Sequence, residues 1–470
     1  MSNGNGTCRP NATSHGHSHA ARPLDVLIVG AGLGGLASAI ACGLAGHHVT
    51  LLEAAIQLGE VGAGIQLTPN VTRLLDRWGL LPALEPAAVQ PGKIHFRRWQ
   101  TGEVIGLTKL VPEFERDFGA PYWVVHRAHL HQALLDRAVE LGAKVHVDSR
   151  VTHVDFDAGT VTVKNGRKYS GDLVLGCDGL KSITRSHFLE GEDKGPSPSP
   201  FCAYRATVPT ELLQGDPELA PLVEQPDLSL WIGENRHVMS YPINGGKTFN
   251  LVLSHPDEND GDLPVAEMSD ILAEMRDNYK GWDPRLTKII SFIRHTAKWK
   301  LMTYPRLCSW RHESGKFVLM GDACHAMLPY MSQGAAQAIE DAAALGRCLD
   351  RCTGPESLPR ITEAYEKIRM DRAYQVQYKS AVNGRIWHYA DGEAQSRRDM
   401  GMAASLTSEH YIRSTNQWSD PSTQIWLYNH DAERNADVFL DGFLKDTSKM
   451  ASSLCKDGVQ EMIDEGFLPH

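Results

Sequence analysis

Short apolar runs alternate with helical patterns along much of this chain. The runs that predict buried strands of a parallel sheet lie at residues 25–29, 49–52, 144–147, 171–179 and 317–322. The segments with apolar residues at helical spacing lie at 33–44, 71–78, 127–141 and 333–350. Strands that alternate with helices in this way predict an α/β fold.

The pattern changes in the middle of the chain, where residues 204 to 299 are dominated by β-type alternation. The turn Asn-Gly-Gly at 244–246 joins two such strands and predicts a hairpin. A second hairpin is predicted at 94–107, and a proline-rich crossing at 195–200 marks a domain boundary. We therefore predict a disordered tail, a nucleotide-binding domain in two parts, a β-sheet substrate domain and a helical C-terminal region. These are residues 1–23, 24–195 with 301–380, 196–300 and 381–470.

The boundary between the first strand and its helix carries a G-x-G-x-x-G motif at residues 30–35. Gly30 permits the tight turn, Gly32 lets a pyrophosphate approach the backbone, and Gly35 lets the helix pack closely on the strand. The free N–H groups of that helix favour a negative charge. Glu53 closes the second strand as the expected acceptor of a ribose hydroxyl. Together these features predict a Rossmann-type dinucleotide site.

Composition narrows the class of protein. The 470 residues suggest two or three domains, and a net charge of −10 argues against a nucleic-acid partner. The sequence has no apolar run that predicts a membrane span and no apolar signal core. Nine scattered cysteines fit a reducing compartment without a disulfide framework, and no metal-ligand spacing is convincing. We therefore expect a cytoplasmic protein.

Three segments far apart in the sequence share one form, a buried strand that ends in a small loop with Gly or Asp. They are the glycine motif, Cys-Asp-Gly-Leu-Lys-Ser-Ile-Thr-Arg at 177–185, and Gly-Asp-Ala-Cys-His-Ala-Met-Leu-Pro at 321–329. Gln-Gly-Ala-Ala at 333–336 and Glu-Asp-Ala at 340–342 follow the third. With these motifs, residues 24–380 resemble the flavoprotein aromatic hydroxylases, single-component FAD-dependent monooxygenases of the salicylate hydroxylase type. An NAD-only dehydrogenase would account for the first segment alone.

The resemblance implies roles toward FAD for several residues. Glu53 is expected to hold the adenosine ribose, Arg127 the FAD chain, and Asp322 a hydroxyl of the ribityl chain. The segment at Asp178 is expected to serve both FAD and NADH or NADPH, which binds transiently as co-substrate. Gly64 lies in a glycine-containing loop that is expected to hold backbone close to a ligand.

The third motif is expected to surround the flavin ring. The resemblance places Pro329 near the reactive flavin carbon and aims the helix that begins near Gly334 at the pyrimidine edge. That placement is physically sensible, because the reduced flavin carries negative charge there and a helix N-terminus stabilises it. Ala335 is small enough to let the ring approach.

Substrate residues are expected on the middle hairpin. His237, Met239 and Tyr241 alternate along one strand, so they share one face of the sheet. On a face toward the flavin, His237 and Tyr241 are candidates to hydrogen-bond a phenol and draw off its proton; satisfying each other or water is the alternative. Arg205 is a candidate to hold a carboxylate, with a structural ion pair as the alternative.

The resemblance implies an enzyme that hydroxylates a phenolic or salicylate-like substrate. NAD(P)H reduces FAD, and O₂ then forms a flavin C4a-hydroperoxide that transfers OH to the activated ring. The partners are a small aromatic substrate and O₂, and the enzyme is a monomer or a homodimer. One alternative is a tailoring hydroxylase or epoxidase of a larger phenolic or indole natural product. An alternative of another class is a flavin-binding redox sensor without hydroxylation.

Overall fold

The computed structural model describes residues 22–59, 64–257, 267–408 and 412–445. Its strands are β1 Asp25–Val29, β2 His48–Leu52, β3 Gly64–Leu67, β4 Lys93–Arg98, β5 Val104–Lys109, β6 Trp123–His126, β7 Lys144–His146, β8 Val151–Asp155, β9 Thr160–Val163, β10 Lys168–Ser170, β11 Leu173–Gly176, β12 Ser197–Pro209, β13 Leu228–Gly233, β14 Arg236–Ile243, β15 Thr248–Pro256, β16 Ala297–Thr303 and β17 Phe317–Leu319. Its helices are α1 Leu33–Leu44, α2 Pro69–Arg77, α3 Leu81–Leu84, α4 Glu113–Phe118, α5 Arg127–Glu140, α6 Ile183–Phe188, α7 Thr210–Gln214, α8 Met268–Asn278, α9 Pro284–Phe292, α10 Asp322–His325, α11 Gly334–Asp350, α12 Leu358–Trp387, α13 Glu393–Thr407, α14 Pro421–Tyr428 and α15 Ala432–Phe443. The expected N-terminal tail lies almost wholly outside the described residues.

A five-stranded parallel sheet forms the first layer, with the strand order β17-β11-β1-β2-β7. Its strands are buried, since Ile28 and Leu175 have no exposed surface, which is why they read as continuous apolar runs. The strands β1, β11 and β17 are neighbours, so the loops after them meet at one edge of the sheet. The α/β fold predicted from the sequence is confirmed.

A seven-stranded mixed sheet, of order β16-β12-β15-β14-β13-β4-β5, forms the second layer. One face packs under α8 and α9 in a separate apolar cluster. The sheet reaches beyond 196–300, because the hairpin β4–β5 joins it through parallel pairing with β13. The expected crossing at 195–200 also differs from the structure, because β12 already begins at Ser197 and pairs there with Thr303 of β16.

The C-terminal region is helical, as predicted, but α12 continues seven residues past the expected boundary at residue 380 and ends at Trp387. Helix α15 packs on α11 and α12, whereas α13 packs on β5. The C-terminal region therefore contacts both the helices that pack with the parallel sheet and the edge of the seven-stranded sheet. None of the helices in the described part of the chain combines the length and apolar character needed to cross a bilayer.

The cysteines are mostly reduced in the described ranges. Free thiols are Cys42, Cys177, Cys202, Cys324, Cys348 and Cys352. Cys308 is the exception among the described cysteines, because it is disulfide-bonded.

Candidate active site

One cavity of about 360 Å³ is lined by loops of the parallel sheet and by one face of the seven-stranded sheet. The predicted site residues that line it are Gly32, Gly64, Arg127, Arg205, His237, Tyr241, Asp322, Pro329, Gly334 and Ala335. Its volume is in the range of small-molecule sites. The structure therefore brings together the glycine motif, the third motif and the middle hairpin.

The three glycines of the first motif have different surroundings. Two of them leave no room for a side chain, whereas the third faces free space. A Cβ on Gly30 would lie 2.5 Å from the Cys177 carbonyl oxygen, and one on Gly35 would lie 1.9 Å from the Gly30 carbonyl oxygen. Apart from its two chain neighbours, no atom of the described residues lies within 4 Å of a Cβ built on Gly32, which borders the cavity. Gly32 is therefore the position where a ligand can approach the backbone, as its place in the motif predicts.

Two predicted cofactor residues act on loop geometry instead of facing the cavity. The Glu53 carboxylate accepts the Ala31 backbone N–H at 2.8 Å, which ties the end of β2 to the glycine turn. The Asp178 carboxylate accepts four hydrogen bonds of 2.6–2.9 Å from Ser182, Ile183 and Thr184 at the start of α6. Asp178 therefore shapes its loop, while the neighbouring Gly179 borders the cavity.

A second helix N-terminus reaches the cavity at Gly334 and Ala335, where α11 begins. The first-turn N–H groups of a helix have no intrahelical acceptor, so they are available to a negatively charged ligand. The preceding Gln333 is buried and is held by Asn70 and Thr68. The N-terminus of α11 is thus set in place by α2 and the residue before it.

Behind this helix start lies a buried network of charged side chains. Arg369 of α12 bonds Asp341 and Glu340 of α11 at 2.8 Å each, and none of the three has exposed surface. Asp341 also accepts from His325 at 2.6 Å and from the Gly321 backbone N–H at 3.0 Å. Burial opposes ionisation, but His325 and Arg369 outweigh it and lower the pKa of Asp341. The network fixes α11 to the loop after β17, and it gives His325 a structural role.

Three side chains of α12 hold the loop around Pro329 by its backbone. Gln377 donates to the Ala326 carbonyl at 2.8 Å, Ser380 to the Leu328 carbonyl at 2.5 Å, and Asn383 to the Tyr330 carbonyl at 2.8 Å. The three donors are spaced three residues apart, so they lie on one face of the helix. The position of Pro329 in the cavity therefore depends on α12.

His237 and Tyr241 line the same cavity but do not satisfy each other. The His237 Nδ1 atom lies 2.8 Å from Nε2 of His388, which follows α12. Tyr241 interacts with the side chain of Gln66, whose oxygen accepts from the Tyr122 hydroxyl. Burial raises the pKa of Tyr241, and Arg205 and Gln66 offset this only in part. Tyr241 is therefore a protonated hydrogen-bond donor at neutral pH.

Gly64 lines the cavity and also makes room for the ring of Tyr241. A Cβ there would lie 2.3 Å from Cε2 of Tyr241, so glycine is needed to let that ring pack against β3. Its backbone N–H donates to the Asn250 side chain at 3.1 Å. The neighbouring Gly62 lies outside the described residues.

Sequence reasoning missed the C-terminal contribution to the cavity. Trp387 and Trp418 line it, with ring centroids 5.0 Å apart in an edge-to-face pair, and His388 contacts His237. The only sequence signal was the presence of aromatic residues in the C-terminal region, which carries no spacing that links them to β14.

We predict that acidification destabilises the fold through the pair His237 and His388. Burial lowers the pKa of His388 to about 3, and burial with the nearby His388 holds the pKa of His237 well below its ordinary value. The unfolded chain binds protons at both imidazoles as pH falls below about 6.5, whereas the folded chain does not, so stability falls. When the pH is lowered from 7.5 to 5.5, the urea midpoint should fall less for His388→Gln than for the wild-type protein. An equal fall in both proteins would contradict the prediction.

The donors around the cavity fit a flavin dinucleotide. Gly32 leaves the backbone open, two helix N-termini supply N–H groups for negative charge, and the exposed Asp322 carboxylate can accept hydroxyl groups. Gly334 and Ala335 leave room for a flat ring, since the nearest atom to a Cβ on Gly334 is 4.0 Å away.

Comparison with known proteins agrees with this geometry. Residues 23–380 match the family described as FAD binding domain. The FAD-dependent monooxygenase OpS4 of Beauveria bassiana is 40% identical over 419 residues, which cover 88% of this chain and 97% of that protein. The 3-hydroxybenzoate 6-hydroxylase of Polaromonas naphthalenivorans is 30% identical over 380 residues, which cover 80% and 91%.

The fold also matches a solved structure, a salicylate hydroxylase substrate complex, with a TM-score of 0.71 and 23% identity over 89% of this chain and 98% of that one. The matched residues 23–380 contain all three motifs, so the family and the FAD cofactor expected from them are confirmed. This chain belongs to the FAD-dependent monooxygenases of the aromatic hydroxylase type.

Proposed function

We propose that this FAD-dependent monooxygenase hydroxylates a phenolic ring, such as a hydroxybenzoate of the salicylate class, with NADH or NADPH and O₂. The observation that carries the proposal is the single cavity shared by the cofactor motifs and by His237, Tyr241 and Arg205. When bound, FAD reduced by NAD(P)H supplies the activated oxygen, and the chain supplies position and a dry pocket.

The residues proposed to hold FAD follow from their places around the cavity. Gly32 and the start of α1 are proposed to face the pyrophosphate, with Arg127 beside them. Asp322 is proposed to accept a ribityl hydroxyl, and the N-terminus of α11 to face the flavin pyrimidine edge. Glu53 and Asp178 are proposed to support this site through the loops they shape, and Glu53 also remains the candidate for the ribose.

The substrate residues are proposed to act in different ways. His237 accepts the phenolic proton, whereas Tyr241, which its raised pKa keeps protonated, donates a hydrogen bond to another polar group of the substrate. Arg205 of β12 pairs with Val252 of β15, which pairs in turn with Met239 of β14, so the three side chains share one face of the sheet. Arg205 is proposed to hold a carboxylate there. A deprotonated ring is more nucleophilic, so it takes up oxygen faster.

The Asp322→Ala variant should lose FAD affinity more than it changes turnover of the remaining holoenzyme. A hydrogen bond to a charged group contributes about 1.5–3 kcal/mol, so FAD should bind roughly 10- to 100-fold more weakly. FAD retention after extensive dialysis measures the effect. Asp371→Ala is the matched control, because that carboxylate is exposed and pairs only with Arg306 in the described residues. Equal retention in both variants would count against the assignment.

The Tyr241→Phe variant should keep FAD but lower hydroxylation and increase uncoupled peroxide release. His237→Ala should weaken substrate binding and slow turnover, with a base contribution of about 100-fold. Tyr204→Phe is the matched control, because it removes a buried hydroxyl from the opposite face of the same sheet. Product and peroxide yields per NAD(P)H measure coupling. Wild-type coupling and affinity in both site variants would show that this face is only scaffold.

A larger phenolic or indole substrate is the second candidate, and the spacing of the site favours it. His237 and Tyr241 are four residues apart on β14 and both line the cavity, which separates them by about 13 Å at 3.3 Å per residue. One small ring touches both only if it lies along the strand. A multi-ring phenol spans that distance directly.

A substrate screen tests both candidates and the redox-sensor alternative. NADH and NADPH consumption should be measured with aromatic acids, simple phenols and multi-ring phenols, and products identified by mass. Coupled consumption with a product 16 Da heavier supports hydroxylation, and a loss of CO₂ reveals decarboxylative hydroxylation of a salicylate. Consumption that no aromatic compound stimulates would favour the sensor.

The compartment and the oligomeric state belong to the same proposal. A cytoplasmic location is supported by the free thiols, with Cys308 as the exception among the described cysteines. A monomer or a homodimer is proposed, and light scattering of the purified holoenzyme would distinguish the two.

A further inference from the structure

His237 is one half of a pair of buried imidazoles, and the other half comes from the C-terminal region. Nδ1 of His237 and Nε2 of His388 lie 2.8 Å apart, with the rings stacked at 5.1 Å between centroids. His237 is 4% exposed and His388 7% exposed. Nε2 of His237 makes no hydrogen bond within the described residues, and this side chain borders the cavity.

The pair is held rigidly from both sides. The His388 backbone N–H donates to the Gly384 carbonyl at 3.1 Å, and its carbonyl accepts from Asn235, next to β14, at 3.2 Å. Its ring packs against Phe201 at 4.6 Å and edge-on to Tyr330 at 5.6 Å. The end of α12 and the start of β14 are thereby joined at this pair by backbone hydrogen bonds and ring contacts.

The surroundings make a lasting positive charge on either ring costly. Arg398 of α13 donates to the Ile386 and Trp387 carbonyls at 3.1 Å and pairs with the carboxylate of Asp399. Burial, and after it the positive charge of Arg398, lowers the pKa of His388. Tyr330 packs edge-on against both rings, and burial keeps it protonated. A proton accepted by His237 must therefore move on.

We propose that His388, which is 7% exposed, is the second member of a neutral proton relay that carries the phenolic proton of the substrate from His237 to solvent. The proposal rests on the proposed function, because it requires a phenolic substrate. It assigns to the C-terminal region a part in the chemistry as well as in the cavity wall.

The relay balances in protons at each atom. The phenol O–H bond breaks as Nε2 of His237 gains that proton, and Nδ1 of His237 passes its own proton to Nε2 of His388. Nδ1 of His388 then releases its proton to water. Both imidazoles are neutral before and after, the substrate has become a phenolate, and one proton has entered the solvent. The reverse sequence returns a proton to the product and restores the starting tautomers.

The wild-type holoenzyme provides a test that needs no variant. Oxidised FAD-bound enzyme is mixed with 4-nitrophenol, and phenolate absorbance is followed in mixtures of H₂O and D₂O. Because more than one proton moves in the relay, the rate should depend on the deuterium fraction with upward curvature. A linear dependence would show that a single proton moves and would overturn the proposal.

Variants separate relay from simple positioning. His388→Gln keeps a side chain that can hydrogen-bond Nδ1 of His237 but cannot pass a proton through a ring, so phenolate formation should slow about tenfold or more and its isotope dependence should become linear. The Kd of 4-nitrophenol should stay near that of wild type. Phe201→Leu, which touches the same ring without a titratable group, should keep the wild-type dependence. Wild-type rates in His388→Gln would overturn the relay.

Failure of the relay and failure of the proposed function give different results. If wild-type holoenzyme binds 4-nitrophenol and ionises it with a linear isotope dependence, the phenol-hydroxylase proposal stands and the relay does not. If the enzyme neither binds nor ionises any phenol of the screen, both fail. Should His388→Gln not fold, as judged by circular dichroism, the wild-type isotope result decides the question alone.

Discussion

The Gly32→Val variant is expected to fold like the wild-type protein and to purify without FAD. Gly32 has φ −71° and ψ −179°, an extended conformation that valine readily adopts. Apart from its chain neighbours, no atom of the described residues lies within 4 Å of its Cβ position. The added side chain therefore meets only the space where the cofactor must approach the backbone. We expect FAD affinity to fall at least roughly 100-fold, while the free energy of unfolding of the apoprotein falls by only about 1 kcal/mol, because Gly32 is the N-cap of α1 and valine caps a helix less well.

Gly35→Ala is the contrasting variant within the same motif. Its Cβ would lie 1.9 Å from the Gly30 carbonyl oxygen, so α1 must move away from β1. This variant should lose stability as well as FAD, with a clearly lower urea midpoint of the apoprotein. The measurements are FAD content by absorbance and apoprotein unfolding by circular dichroism. Normal FAD content in Gly32→Val would mean that the cofactor does not pass this glycine.

The Arg369→Met variant should be the most destabilised single charge change in the described part of the chain. Arg369 has no exposed surface and bonds the equally buried Glu340 and Asp341 at 2.8 Å. Removing it leaves buried carboxylates short of a partner, which costs about 3–5 kcal/mol. Because Asp341 also holds His325 and the Gly321 backbone, the loss should loosen the loop after β17 and weaken FAD binding too.

Lys367→Met is the matched control on the same helix. Lys367 is 47% exposed and pairs with Glu363 one turn away, so its loss should cost less than about 1 kcal/mol. The urea midpoints of the two apoprotein variants, measured at one pH and salt concentration, decide the comparison. Equal shifts would show that the buried network contributes no more than a surface pair.

The C-terminal helices tie these effects together. Helix α12 supplies Arg369 to the network behind α11, Ser380 and Asn383 to the Pro329 loop, and Trp387 to the cavity. This single helix of 30 residues therefore positions the start of α11, the loop around Pro329 and the part of the cavity wall that Trp387 forms. This is the physical reason to expect that changes far along α12 alter cofactor binding and substrate binding together.

Local patterns in the sequence were sufficient for the parallel sheet and for the loops that its strands bring to one edge. Apolar runs, glycine spacing and the acid at Glu53 are properties of short segments, and short segments determine whether a strand, a turn or a helix forms. The rule that parallel strands end at one edge then predicts that 30–35, 177–185 and 321–329 meet. Alternation along β14 likewise predicts that His237 and Tyr241 share a face, because the side-chain period of a strand is two.

Only the tertiary structure decided which elements complete the site. The hairpin β4–β5 was recognised, but its parallel pairing with β13 depends on a neighbour more than a hundred residues away. The partner of His237 is His388, 151 residues later, and the carboxylate of Asp178 turned out to be occupied by its own loop. The periodicity of a strand specifies which of its side chains share a face. Which other part of the chain packs against that face is set by long-range packing. That packing is the sum of many weak contacts, and no local spacing records it.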